Sequence, residues 1–309
     1  MTSQHDDTVA WVSDSYLRHG DSAAPHAAGD GGWILNADLA IAVTDVGFRQ
    51  GVVAVERLRT YQGVPLAVES HLVRWRRTLE HVGIRIDSDS AVCFERIERL
   101  IERNRAWCDS ENDFGITMLA TPGTAGPTAA GPIEILHLNR LDHAKIAAHR
   151  QGGQPLVITD VQAPPEKTWP RDIKVRCRLH YYVADRIAAE LNPAAIGVLV
   201  DADGSVTETS VANLAILRDG TVVSPPAERV LPGVTQELVM EIAAELDIAW
   251  THAPLYPADL RTADEVWLMG TDGGLWFANA VDGVAIHAGA AGQCYLRVLD
   301  RFDRCVRSP

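Results

Sequence analysis

The second half of this chain does not alternate strand and helix in the regular way that a doubly wound parallel sheet requires. Periodicity places a helix over 180–191, strands over 196–201, 211–217 and 221–224, a helix over 235–246 and a strand over 265–269. Runs of strands broken by single helices predict an α+β fold. At 309 residues the chain is long enough for two lobes, each with its own core. No internal repeat is visible.

The first half reads similarly. Residues 18–32 are rich in Gly, Ala and polar residues and read as a loop or insertion. Strand patterns follow at Leu39–Thr44 and Ala54–Tyr61, the second ending in a turn at Gln62-Gly63. Glu69 to Val82 carries Leu72, Trp75, Leu79 and Val82 at helical spacing, with Ser70 as a candidate cap. A second helix over 91–105 buries Ile97, Leu100 and Ile101. Strands at Phe114–Ala120 and Ile133–Leu138 flank the segment 121–131 and predict a hairpin with a long tip. His149 to Gly153 reads as the start of a linker. The expected organisation is a small N-terminal domain over 1–149, a linker over 150–163 and a larger domain over 164–309.

Composition narrows the class. A net charge of −13 argues against nucleic acid or an anionic membrane as partner, while leaving room for a local cationic pocket. Five cysteines without a CxxC pair suggest reduced thiols in a cytoplasmic protein, not a disulfide framework or zinc site. The polar, acidic stretch 1–7 does not read as a signal peptide, and no apolar run is long enough to span a bilayer. The histidines, among them His143, His149 and His180, have no metal-ligand spacing, so no metal is expected. No serine or cysteine sits in a nucleophile elbow.

Chemistry enters with the lysines. Of 28 basic residues three are lysine: Lys145, Lys167 and Lys174. Lys174 lies in Asp172-Ile173-Lys174-Val175-Arg176-Cys177-Arg178-Leu179, just ahead of the helix over 180–191. Downstream stand Glu208, among Thr207, Thr209 and Ser210, and then Gly233-Val234-Thr235 at the start of the helix over 235–246. In that order they offer an amine for a Schiff base, a carboxylate for a ring nitrogen, and backbone amides with a hydroxyl for a phosphate dianion. Those are the requirements of pyridoxal 5'-phosphate.

These residues, with several spaced motifs, resemble the class IV (fold-type IV) pyridoxal-phosphate aminotransferases. That family includes the branched-chain and D-amino-acid transaminases and aminodeoxychorismate lyase. The resemblance runs from about Asn36 to Gly283. Asp45-Val46-Gly47-Phe48-Arg49-Gln50-Gly51 with Glu56-Arg57-Leu58-Arg59 resembles the family's D-x-G-F-x-x-G…E-x-L-R strand pair. Glu69-Ser70-His71-Leu72-Val73-Arg74 resembles its E-H-L-x-R helix. The resemblance implies a phosphate ligand at Arg74, where a guanidinium fork suits the dianion. It implies the Schiff-base lysine and proton shuttle at Lys174, and the carboxylate facing the pyridine nitrogen at Glu208. Phosphate contacts follow at Gly233, Val234, Thr235 and Thr271, the last in Met269-Gly270-Thr271, and Leu179 stands at the place of a ring-contacting tyrosine. The implied fold has a small N-terminal α/β domain and a larger pseudo-barrel-like C-terminal domain, assembled as a homodimer.

Substrate recognition departs from the pattern. The family usually carries aromatic residues at the places of Gln50 and Val55, and carboxylate-binding arginines at those of Thr117 and Pro122. Gln50 and Thr117 are therefore candidate substrate contacts, with Arg176, Arg178 or Arg49 as a replacement cation. The expected activity is transfer of an amino group from an amino acid to a 2-oxo acid. Arg178-Leu179 also fits the lyase pattern, and the altered recognition residues leave a non-catalytic ligand-binding relative as a third reading.

Overall fold

In the computed structural model, residues 8–17, 31–125 and 131–307 are described. Most of the 18–32 insertion, the tip of the 121–131 segment and the N-terminal stretch 1–7 lie outside them. The chain divides into two compact units. Residues 1–141 with Ile173–Cys177 form the first; residues 142–172 with 178–309 form the second.

The first unit is a six-stranded antiparallel sheet. Its strands are β1 (Val9–Val12), β2 (Gly32–Leu35), β3 (Ala54–Tyr61), β4 (Val64–Pro65), β5 (Phe114–Thr121) and β6 (Ile133–Arg140), in the order β2-β1-β6-β5-β3-β4. Its helices are α1 (Asp14–Leu17), α2 (Val46–Gln50), α3 (Val68–Val82), α4 (Ser90–Arg103) and α5 (Arg105–Glu111). Leu72, Trp75 and Leu79 of α3 and Ile97 and Leu100 of α4 pack on Ala54, Leu58, Ile116, Met118 and Leu136 of the sheet, all buried. The hydrophobic stripes at helical spacing thus meet every second residue of the strands.

Several sequence expectations are corrected. Leu39–Thr44 is not a strand. Its alternating Leu39, Ile41 and Val43 find no ladder, and Val43 is 71% exposed. Ser70 lies inside α3, which starts after Ala67 without a side-chain cap. The helix expected over 91–105 is broken at Asn104. The Asn104 Nδ2 donates to the Val9 and Leu100 carbonyls, and its Oδ1 accepts from the Val9 amide at 2.8 Å. The side chain thereby fastens the helix pair to β1.

The second unit holds β7 (Pro155–Gln162), β8 (Ile196–Val200), β9 (Val206–Thr209), β10 (Asn213–Arg218), β11 (Thr221–Ser224), β12 (Trp250–His252), β13 (Glu265–Gly270), β14 (Gly274–Phe277), β15 (Ala280–Val281) and β16 (Val284–Ala285). They form one mixed sheet in the order β12-β11-β10-β9-β8-β7-β15-β16, from which β13 branches off β10 and carries β14. Around it are α6 (His143–Gly152), α7 (Leu179–Leu191), α8 (Val234–Glu245), α9 (Pro257–Arg261) and α10 (Gln293–Arg307). The 150–163 segment is not a linker: it holds the end of α6 and all of β7. Gly152-Gly153 reads as a break in sequence because Gly153 takes the positive φ that caps α6.

Glu265 shows how a strand fixes a helix end in this unit. Its Oε1 accepts from the Cys294 amide at 3.0 Å, and its Oε2 from the Tyr295 amide and Trp267 Nε1, both at 2.8 Å. A carboxylate at the first turn of α10 satisfies amides that no preceding turn can. A Cβ at Gly292 would lie 1.9 Å from Glu265 Oε1, so only glycine lets the chain pass. Glu265→Ala is expected to destabilise the protein by about 2–4 kcal/mol, by stranding a buried indole N–H and two helix amides. An unchanged denaturant midpoint would argue against this capping role.

Candidate active site

The lysine segment is pinned by its backbone. In the first unit, Lys174 N–H donates to Thr78 Oγ1 at 3.0 Å, and the Lys174 carbonyl accepts from the Val55 amide at 3.0 Å. Arg176 N–H donates to the Val53 carbonyl at 2.9 Å, and Val175 bridges Ala54. Five residues thus lie antiparallel beside the entry to β3. Thr78 Oγ1 in turn donates to the Arg74 carbonyl at 3.0 Å, so one hydroxyl ties Lys174 to the α3 turn that carries Arg74.

Arg74, Glu56 and His71 form a buried cluster. Arg74 Nε donates to Glu56 Oε2 at 2.9 Å and its Nη2 to Oε1 at 2.7 Å. His71 Nδ1 lies 3.0 Å from the same Oε1. Burial would raise the Glu56 carboxyl, but the Arg74 guanidinium and the two side-chain hydrogen bonds outweigh it and hold the carboxyl well below its usual range. Burial lowers His71 against the pull of Glu56, so the ring is neutral and its Nδ1–H donates to the carboxylate. One edge of the Arg74 fork is thus taken by Glu56. Glu56 and His71 are the site members that reading motif by motif did not single out. The signal was there: an acid between Ala54 and Leu58 on the core-facing side of the strand.

In the second unit, Glu208 lies at the end of β9, where β10 returns beside it with Asn213 opposite. Glu208 Oε1 accepts from Tyr181 Oη at 2.6 Å, and Oε2 from Asn213 Nδ2 and the Leu231 amide, both at 3.2 Å. Burial, then the Glu208 charge, raises Tyr181 well above the ordinary phenol range, so its hydroxyl stays a donor. Asn213 Nδ2 also donates to the Leu231 carbonyl at 2.8 Å, drawing the Leu231-Pro232-Gly233 turn against the carboxylate. A Cβ on Gly233 would sit 1.9 Å from Asn213 Oδ1, which is why this turn needs glycine. Gly233 gives α8 no side-chain cap, leaving the amides of Val234 and Thr235 at a bare helix end. Thr271 follows β13, whose Met269 pairs with Asn213. Glu208, Gly233, Val234, Thr235 and Thr271 therefore gather around Asn213.

Not every expected residue joins these groups. Leu179 opens α7 and is 70% exposed. Two residues make roughly half a helical turn, so Tyr181 presents the opposite side of α7 and reaches Glu208. Arg178 donates to the Ser210 carbonyl and lies 4.6 Å over the Tyr181 ring, both within the second unit. Arg49, Gln50 and Arg176 are exposed. Thr117 is fully buried in β5. Among the described residues no cluster of His, Cys, Asp or Glu could hold a metal ion.

Each unit by itself holds groups whose chemistry fits pyridoxal phosphate: a pinned lysine in the first, and in the second a carboxylate supplied with three donors and a helix start at Gly233. Comparison with known proteins gives the same class. The fold matches the branched-chain amino acid aminotransferase of Escherichia coli, with a TM-score of 0.84 and 19% identity over 96% of this chain and 94% of that one. D-alanine aminotransferase of Staphylococcus epidermidis is 23% identical over 286 residues, 90% of this chain and 97% of its own length. Aminodeoxychorismate lyase of Bacillus subtilis is 22% identical over 246 residues, 77% and 80% of the two chains. The class IV amino-transferase family profile matches residues 54–281, and the chain belongs to that family. It is an enzyme that uses pyridoxal 5'-phosphate to move an amino group from an amino acid to a 2-oxo acid.

Proposed function

We propose that Lys174 is the residue that binds the cofactor covalently and that its Nζ accepts the proton leaving the donor's Cα. The observation that carries this reading is the backbone anchorage of Lys174 at both its amide, to Thr78, and its carbonyl, from Val55. It fixes the root of a flexible side chain, so that four methylenes span a defined reach. When bound, pyridoxal phosphate supplies the electron sink for the substrate carbanion. Glu208, held by Tyr181, Asn213 and the Leu231 amide, keeps a proton on the ring nitrogen. Arg74, Val234, Thr235 and Thr271 hold the phosphate, the amides and helix end supplying fixed partial charge.

Two wider features belong to the same reading. The protein works as a homodimer, in keeping with the exposed Phe48 (69%) within α2 and Val43 (71%) just before it. It is cytoplasmic, in keeping with its five cysteines, all unpaired thiols. No helix among the described residues is long and apolar enough to cross a membrane.

A half-reaction screen tests the function. Purified holoenzyme is mixed with single L- and D-amino acids, and loss of the visible cofactor band is followed. At least one amino acid should discharge the band, and a 2-oxo acid should restore it. Pyruvate release with no acceptor requirement would favour the lyase reading, and a band that no amino acid disturbs would favour a binding protein.

A further inference from the structure

Two residues at the start of α7 are tied to the end of β9, inside the second unit. Tyr181 Oη donates to Glu208 Oε1 at 2.6 Å, within the range of a charge-assisted bond to a carboxylate. Arg178, which directly precedes α7, donates through Nη2 to the Ser210 carbonyl. Its guanidinium carbon lies 4.6 Å over the Tyr181 ring. Side chains three residues apart at a helix start are neighbours, so cation and phenol reach the same strand end side by side. Ser210 is a fixed anchor, because Thr209 Oγ1 accepts from the Ala212 amide at 3.0 Å and closes the turn around it.

Packing accounts for the ring of Tyr181 but not for its hydroxyl. The helix buries Ala184 and Ala188, and the Tyr181 ring packs beside Ala184 on Ala163 and Leu199. Gly197 of β8 lets the helix come this close, since a Cβ there would lie 2.6 Å from the Ala184 carbonyl. Phenylalanine would fill the same space. The hydroxyl serves the carboxylate.

Its effect follows from what a donor does to an acid. A hydrogen bond to a carboxylate favours the charged form and makes the group a weaker base. Asn213 and the Leu231 amide act on Glu208 Oε2, and Tyr181 acts on the other oxygen. Opposite a ring nitrogen, a carboxylate that stays charged leaves the shared proton on the ring. A more basic one draws that proton to itself. The guanidinium over the phenol strengthens its O–H as a donor. The remaining groups around Tyr181 leave this arrangement alone: burial lowers His180, 4.2 Å away, to about 4 and keeps it neutral, and Arg171 pairs with Asp201. We infer that Arg178 and Tyr181 are positioning residues that set the basicity of Glu208, and so decide how firmly the cofactor's ring nitrogen keeps its proton. Arg178 thereby tunes the electron sink instead of meeting a substrate carboxylate. The inference rests on the reading of Glu208 given above.

The test follows the visible band of holoenzyme against pH alongside turnover. Beside a less positive ring, the nitrogen that joins lysine to cofactor keeps its own proton to higher pH. In Tyr181→Phe the pH at which the band is half lost should therefore rise by roughly half a unit or more. Its kcat should fall about tenfold or more, with KM changed less than about threefold. Arg178→Met should move both readings the same way by smaller amounts, and Arg178→Lys should recover part, since it returns a cation to the ring. These two variants carry the test if Tyr181→Phe folds poorly. Tyr182→Phe, at an exposed neighbour, should change neither reading. Glu208→Gln should have the largest effect, and adding Tyr181→Phe to it should bring no further shift, because both act through one carboxyl. A Tyr181→Phe variant that melts earlier but keeps the band midpoint and kcat would overturn the inference. So would an equal shift in the Glu208→Gln background. Glu208→Gln with an unaltered band and turnover would instead remove the reading on which it rests.

Discussion

Lys174→Ala should abolish the visible cofactor band and lower turnover by about 10⁴-fold or more, while the unfolding transition stays where it is. The separation of the two effects follows from how the residue is held. The backbone holds position 174 in the first unit: the amide to Thr78, the carbonyl to Val55, and the flanking Ala54–Val175 bridge. Alanine makes all of them. What disappears is the amine, and with it both the covalent link to the cofactor and the base that takes the Cα proton. Lys145 and Lys167 provide internal controls, since both are exposed. Their alanine variants should keep the band and full activity. Turnover within about tenfold of wild type in Lys174→Ala, at unchanged protein purity, would end the assignment.

Glu56→Ala should act in the opposite manner, costing stability first. Glu56 is fully buried and Arg74 is 5% exposed. Removing the acid strands a buried guanidinium and the neutral His71 ring, which costs about 3–5 kcal/mol. That corresponds to a fall in Tm on the order of 10 °C for a domain of this size. The pH dependence has a definite sign. A carboxyl held below its unfolded value contributes stability that is complete above the unfolded pKa and is lost as pH falls through the folded one. The wild-type protein should therefore lose this contribution only in acid, below the ordinary carboxylate range, and Glu56→Ala should show a flatter acid limb. Glu56→Gln with Arg74→Met should recover much of the stability, because the pair costs less when both charges go. If the single and double variants melt together, the cluster is not coupled as described.

The parts of the fold with strong local signals were legible in the sequence. The α3 stripe, β3, the β5–β6 hairpin and α7 lie where periodicity puts them, within a residue or two at their ends. What stayed hidden depends on partners far away in the chain. Leu39–Thr44 alternates like a strand but no neighbour pairs with it. Asn104 ends a helix because of Val9, 95 residues earlier. Gly152-Gly153 looks like a hinge and is a helix cap. Tyr181 could not be matched to Glu208 until the start of α7 was known to a single residue.

The five residues from Ile173 to Cys177 carry a consequence for synthesis and dissection of the chain. They belong to the first unit but are reached only after the chain has entered the second, which then continues from Arg178. A nascent polypeptide that has emerged as far as Leu141 holds every strand of the N-terminal sheet yet lacks the segment that lies against β3. The reactive amine is thus delivered last, by a chain that has already begun the other unit. Neither unit corresponds to a continuous stretch of gene, and a clone cut at the first boundary would encode a sheet without its lysine.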